Sequence, residues 1–318
     1  MGNYDPIAEH LMPRFSGPTT FMKLPSLEQV NDPDIVVVGA PFDGGTTFRS
    51  GARMGPSAIR EASSALYPYH RGHRQFLTHE AVVADGGDLI VVPGNIVVTL
   101  VRMTEQLDKL GEAAVLLLGG DHSVSLAALR SLSKRVGSLA LIHFDAHHDL
   151  WHDSWGEKYS HATVFRRAIE EGLIDPAFSL QVGLRGGLDQ AEEDHFGEDL
   201  HIQQITTDDW YAHSASWLAE QIHRRVGTHV AYLSVDIDVV DPAYACGTGT
   251  PEAGGPSSYM VLQALRLISA PLAGADVVEL SPDLDVTRTS SLFAATTAYE
   301  VLFLLARARG RNKTKETV

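Results

Sequence analysis

Short, continuous apolar runs rich in β-branched residues recur along this chain, and they restrict its fold more than any other feature. They fall at 34–40 (DIVVVGA), 81–84, 114–118 (AVLLL), 139–144 (LALIHF), 180–184, 230–235 and 275–280, with 201–205 a weaker eighth. A strand with one wet face alternates apolar and polar residues. Runs without that alternation are buried on both faces, as in parallel sheets. The stretches between them carry helix signals. Segment 56–65 follows a glycine, segment 96–110 has apolar residues at helical spacing, and 123–136 and 257–269 open on serines that can cap a helix. Segment 292–307 is apolar on most sides and is expected inside. Strand and helix alternate throughout, so the chain is predicted to be α/β. The expected architecture is a single-domain three-layer α/β/α sandwich around a central, mostly parallel eight-stranded sheet. No linker or repeat divides it, and the reading is an N-terminal extension (1–33), one domain (34–308) and a basic tail (309–318).

With 318 residues, 44% of them hydrophobic, the chain can bury a large core. A net charge of −15 argues against nucleic acid as a partner and is compatible with a cationic substrate. The one cysteine, Cys246, allows no intramolecular disulfide and points to a reducing compartment. The opening MGNYDPIAEHLMPRF has no apolar core of a secretory leader. No apolar run approaches the roughly 18 residues that span a bilayer. A soluble, cytoplasmic protein without membrane partners is expected.

Ligands of open parallel sheets bind outside the carboxyl ends of the strands. Polar clusters sit at those ends here. Gly119-Gly120-Asp121-His122 follows one run; Asp145-Ala146-His147-His148-Asp149 follows the next; Asp236-Ile237-Asp238 and Glu279 close two more. Several clusters on one sheet edge converge in space. Mixed carboxylates and imidazoles suit Mn²⁺, Fe²⁺, Ni²⁺ or Zn²⁺ better than Ca²⁺ or Mg²⁺. Four aspartates and two histidines are too many for one catalytic ion. They fit two ions about 3.5 Å apart sharing a hydroxide. Asp145 and Asp236 are the natural bridges, each starting a D-x-H or D-x-D pair, and the chain must bend there for both members to reach one site. His148 is expected to point away from them. Asp121 is as readily a cap or loop ion pair as a site residue.

The segments GGDHS (119–123), FDAHHD (144–149), SVDIDVVDP (234–242) and GTGTP (247–251) resemble the signature set of the ureohydrolase family, which holds arginase, agmatinase and the guanidino-acid hydrolases. PFDGGTTFRSGARMGP (41–56), SHATVFRRAIEEGLID (160–175) and VVELSP (277–282) extend the likeness. PRFSGPTTFM (13–22) resembles the agmatinase branch. The resemblance implies an arginase-like fold, two divalent ions per subunit (Mn²⁺ first, Ni²⁺ in some members) and a homotrimer or homohexamer. By motif, one ion would take His122, Asp145, Asp149 and Asp236, and the other Asp145, His147, Asp236 and Asp238. It also implies that Glu279 pairs with the guanidinium, that Asp149 passes a proton to the departing amine, and that His161 shuttles protons. The products would be urea and an amine. Arg185 is expected to have only a structural ion pair.

Four places depart from the family pattern: Ala162 where glycine is usual, Cys246 where proline is usual, 256–260, and Ser281-Pro282-Asp283. None is a metal ligand. The loop 150–160 lies between two active-site motifs and is the expected specificity element, with Trp151, Trp155 and Tyr159 as substrate contacts. A tyrosine just before the S-H-x-T motif resembles the guanidinopropionate-hydrolase pattern. The substrate order is a short guanidino acid (3-guanidinopropionate or 4-guanidinobutyrate), then agmatine, then guanidine or an alkylated guanidine. A deacetylase-like hydrolase and a non-catalytic subunit are the competing classes.

Overall fold

The computed structural model describes residues 13–313; the amino-terminal residues 1–12 and the end of the basic tail (314–318) lie outside the described residues. In chain order the first half contains β1 (Ile35–Ala40), α1 (Gly55–Ser63), β2 (Tyr69–His70), β3 (Gln75–Phe76), α2 (Leu77–Glu80), β4 (Val83–Asp88), α3 (Ile96–Leu107), β5 (Ala114–Gly119), α4 (Ser125–Val136) and β6 (Ala140–Phe144). The second half contains α5 (Val164–Glu170), β7 (Leu180–Leu184), α6 (Phe196–Asp199), β8 (Gln203–Thr206), α7 (Thr207–Tyr211), α8 (Ala215–Val226), β9 (Ala231–Asp236), α9 (Ser258–Leu267), β10 (Leu272–Val278) and α10 (Thr289–Lys313).

Eight strands form one sheet in the order β4-β1-β5-β10-β9-β6-β7-β8, and every pairing in it is parallel. The strands β2 and β3 form a separate antiparallel hairpin. Alternate residues of each strand feed opposite layers. Val37, Leu116 and Leu233 pack on the side of α8, α9 and α10, whereas Val36, Val115 and Tyr232 pack on the side of α3 and α4. Both faces are therefore covered, which is why the runs lack polar alternation. Although β5 and β6 are consecutive in sequence, β10 and β9 lie between them. The carboxyl ends of β5, β10, β9 and β6 therefore stand side by side, at the edge where ligands of parallel sheets bind.

Some expected boundaries shift. The run 275–280 is a strand only to Val278, because Glu279 turns to a left-handed backbone (φ 67°). Strand β4 runs on through Gly86 and Gly87 to Asp88, beyond the apolar run that announces it. The segment Thr289–Gly310 is long and apolar enough to cross a membrane, with a mean hydropathy of 1.3 in its most apolar window, contrary to the sequence expectation. That window is 83% buried inside the protein, and Leu302, Phe303 and Leu305 are closed off from solvent. It is a core helix of the sandwich.

Candidate metal centre and active site

The acidic clusters reach one place because the strands end in the same local turn. Asp121 accepts from the Ser123 amide, Asp145 from the His147 amide and Asp236 from the Asp238 amide. A short carboxylate bonding its own backbone two residues on reverses an extended chain. The alternation that would send Asp145 and His147 to opposite sides is thereby broken. Gly120 lets the β5 turn pass close to its neighbour: a Cβ there would collide with the carbonyls of Phe42 and Ala40. Asp149 and Glu279 are both held at positive φ, 54° and 67°. Non-glycine residues adopt this region uncommonly, and backbone strain of this kind clusters at functional sites.

His122 Nδ1 lies 3.1 Å from Asp145, 3.0 Å from Asp149 and 3.4 Å from Asp236, all at Oδ2. His147 Nδ1 lies 3.3 Å from Asp145 Oδ1 and 3.1 Å from Asp238 Oδ2. The two oxygens of Asp145 thus face two adjacent centres. Asp236 is buried and crowded by Asp238 and Asp145, and burial first, then those charges, push its carboxyl well up. Asp238 is raised in the same way. Burial opposes ionisation of Asp145 as well, but the imidazoles of His143, His122 and His147 hold it well below the usual range. The same attraction raises His122 and His147 well above an ordinary imidazole, against burial. The centre calls for positive charge, which protons or metal ions can supply.

The donor set fits divalent ions. His122 Nδ1 is buried and has no hydrogen-bond partner, yet it points at three carboxylates. Oxygen and imidazole donors without thiolate suit Mn²⁺, Fe²⁺, Ni²⁺ or Zn²⁺. Two groupings of side chains are close enough to hold an ion, His122–His143–Asp145–Asp149 and Asp145–His147–Asp238, and they share Asp145.

His143 was not anticipated as part of the site. It sits within β6 in an apolar run, where a histidine reads as a strand residue. Its Nε2 lies 2.8 Å from Asp145 Oδ2, and Gln181 donates to its Nδ1 at 3.0 Å. Gln181 in turn accepts from Gln204. His143 therefore carries its proton at Nε2 and orients Asp145 rather than offering a lone pair.

Glu279 Oε1 accepts from the His122 amide at 2.7 Å and faces His161 Nδ1 at 2.9 Å. Its Oε2 is buried without a partner. The other nitrogen of His161 meets the Thr47 amide and hydroxyl. Burial works against charging His161, but Glu279 raises it to about 9. Asp121 lies close by, fully buried, raised to about 7 by burial and by the Glu279 charge. His148 turns from the centre, stacks near Trp151 and Phe196, and is held by burial at about 4.

The aromatic residues of the 150–160 loop disperse. Trp151 lines a cavity of about 460 Å³ that also touches His147, Arg185, Glu193, Asp194 and Asp208. Trp155 is 86% exposed. Tyr159 packs with the α3–α4 layer, its ring centroid 5.8 Å from the Arg130 guanidinium. Arg185 has no carboxylate partner of the expected kind. Its guanidinium donates to the carbonyls of Gly183, Asp238, Val239, Val240, Glu252 and Ala253, so it ties the turns after β7 and β9 to the 252–253 loop. Ala162 is buried, and its carbonyl accepts from the Trp151 amide; Cys246 is exposed.

A second cluster, His70, His73 and Glu300, also has metal-like spacing. His70 Nδ1 accepts from the amides of Gly72 and His73, so its Nε2 carries the proton and donates to Glu300 at 3.0 Å. Arg266 bonds the same carboxylate oxygen. A proton and a guanidinium stand where an ion would need lone pairs, and the cluster is a buried ion-pair network.

Fold and site together define a metal-binding α/β enzyme with its centre at the carboxyl edge of a parallel sheet. The family model described as "Arginase: Arginase family" matches residues 33–304. Proclavaminate amidinohydrolase of Streptomyces clavuligerus is 39% identical, over 95% of this chain and 97% of that protein. Its solved structure superposes with a TM-score of 0.89 at 38% identity, covering 93% of this chain and 99% of that one. Guanidinopropionase and guanidinobutyrase of Pseudomonas aeruginosa are 40% and 36% identical, each over 95% of this chain and covering 96% and 97% of their own lengths. The chain belongs to the arginase family. It is a metal-dependent ureohydrolase that acts on C–N bonds of guanidino compounds.

Proposed function

We propose that this enzyme hydrolyses a short guanidino acid, 3-guanidinopropionate or 4-guanidinobutyrate, to urea and the amino acid. The observation that carries the guanidino reading is Glu279 Oε2, a buried carboxylate oxygen without a partner beside the metal-type cluster. A planar N–H fork is the donor that such an oxygen matches. Two relatives named for guanidino acids support the choice of tail.

His122, Asp145, Asp149 and Asp236 would hold one ion, and Asp145, His147, Asp236 and Asp238 the other, with Mn²⁺ the first choice and Ni²⁺ the alternative. Such a pair supplies a water activated at neutral pH. Glu279 binds and orients the guanidinium with Oε2, while His122 N–H and His161 fix Oε1. Asp149 carries the proton to the departing amine, and His161, joined to Thr47, exchanges it outward. Trp151 contacts the tail, with Trp155 and Tyr159 completing the loop that carries it. The catalytic domain is assigned to 34–308, flanked by the extension 1–33 and the tail 309–318, in a cytoplasmic homotrimer or homohexamer.

Agmatine is the second reading, favoured by the acidic side chains Glu193, Asp194 and Asp208 around the cavity beside His147, whose only arginine is engaged with carbonyls. The test is urea release by protein reconstituted separately with Mn²⁺ and Ni²⁺. The panel is 3-guanidinopropionate, 4-guanidinobutyrate, agmatine, arginine, guanidine and methylated guanidines. A guanidino acid turned over well above the rest supports the first reading; agmatine foremost replaces it with the second. No urea from any of them overturns both.

A further inference from the structure

Behind His122 lies a chain of buried hydroxyls ending on a carboxylate that belongs to no ligand set. His122 Nε2 is 2.7 Å from Ser234 Oγ. The Ser234 hydroxyl donates to Asp276 Oδ1 at 2.6 Å. The hydroxyls of Ser125 and Tyr232 both donate to Asp276 Oδ2, at 2.6 and 2.7 Å. All five residues are fully buried. Sheet register builds the chain: Asp276 of β10 pairs with Ser234 of β9, and Ser234 pairs with His143 of β6. A polar row thus crosses the centre of an otherwise apolar sheet.

A serine hydroxyl has one proton. Ser234 gives it to Asp276, so towards His122 its oxygen can only accept. His122 must then hold its proton on Nε2 and keep the Nδ1 lone pair free, and Nδ1 is the nitrogen aimed at Asp145, Asp149 and Asp236. We propose that Asp276 is a positioning residue that, acting through Ser234, locks His122 in the tautomer and orientation able to bind a divalent ion. The inference rests on the metal reading above. Partners behind a ligating histidine commonly change metal affinity by about 10–100-fold when removed.

An amide at this position is informative. In Asp276→Asn the two hydroxyls of Ser125 and Tyr232 require the amide oxygen on their side. The amide NH₂ is left facing Ser234 and donates to it. Ser234 loses its acceptor and is released to turn its proton to His122 Nε2, an arrangement that places the proton of the ring on Nδ1. The volume is unchanged and the lone pair is lost.

Metal-stripped protein is titrated with Mn²⁺ by calorimetry, with bound metal counted directly, for wild type, Asp276→Asn, Ser234→Ala, Ser234→Thr and Tyr232→Phe. The expected result is two ions in wild type. One of the two sites weakens by at least about tenfold in Ser234→Ala and further in Asp276→Asn. Ser234→Thr, which keeps the hydroxyl, and Tyr232→Phe, which leaves the Ser234 link, stay near wild type. Nitrogen NMR of the Asp276→Asn histidines is expected to show His122 protonated at Nδ1. Should Asp276→Asn fail to fold, the Ser234 pair decides. Two ions bound at wild-type affinity by Asp276→Asn, or by Ser234→Ala, overturn the inference alone. A wild-type protein that binds no divalent ion overturns the metal reading and this inference with it.

Discussion

Glu279 satisfies one carboxylate oxygen twice and leaves the other buried and unpaired. An unpaired buried acceptor costs roughly 1–3 kcal/mol, and the strained backbone at φ 67° adds to the cost. A guanidinium offers N–H donors to that oxygen and repays both. Glu279→Gln keeps the acceptor at Oε1 but removes the charge and half of the fork. It is expected to retain both ions and to lower kcat/KM by about 100-fold or more, the scale of one charged hydrogen bond to a developing transition state. Metal content and urea release measured on one preparation check it. Turnover near wild type would remove Glu279 from the chemistry. At this scale the convergence of the acidic clusters was legible because D-x-H and D-x-D pairs at strand ends have few structural reasons to exist. His143, Gln181, Ser234 and Asp276 were not, because each lies inside a strand where a lone polar residue reads as part of the run.

Glu300, in the middle of α10, anchors the β2–β3 hairpin and α9 to the core through His70, His73 and Arg266. Burial opposes its charge, but those three donors hold the carboxyl at about 2, against an ordinary 4.5. A folded-state value below the unfolded one stabilises the protein above the unfolded value. That contribution is lost as pH falls from about 4.5 towards 2. The shift corresponds to a stabilisation on the order of 3 kcal/mol at neutral pH. Glu300→Gln is therefore expected to lower unfolding stability by about 2–3 kcal/mol at pH 7, and the gap to wild type should narrow as pH falls from about 5 to about 3. Denaturant melts across that range measure it; a gap independent of pH would place the effect in packing instead of charge. The strands of the large sheet were readable because two-sided burial leaves unbroken apolar runs. The hairpin was not, since two-residue strands carry no period. Helices α5 and α8 also went unread: α5 lies within a segment read for its motif, and α8 mixes its buried Leu218, Ala219 and Ile222 with charged neighbours.

Across the whole molecule, a chain of net charge −15 concentrates six buried acids, Asp121, Asp145, Asp149, Asp236, Asp238 and Glu279, around one edge of its sheet. Their partners are four histidines, His122, His147, His143 and His161. Burial and mutual repulsion already push Asp236 and Asp238 up, so the folded state contains acids it can ionise together only with added positive charge. The elements that converge there, the ends of β5, β6, β9 and β10, are the centre of the sheet, so relief of that repulsion should be felt globally. A ligand that binds only the folded state stabilises it by about 2.7 kcal/mol at 100 times its Kd. Stripping the protein with a chelator is thus expected to lower its melting temperature by several degrees, and Mn²⁺ should restore it in a concentration-dependent way. Protein concentration is held fixed, because subunit association would shift the midpoint by the same mass action. Mg²⁺, which prefers an all-oxygen shell, should restore less than Mn²⁺ at equal concentration. Equal rescue by both would show that the centre responds to divalent charge alone, and no rescue by either would show that the six acids are balanced by protons, not by metal.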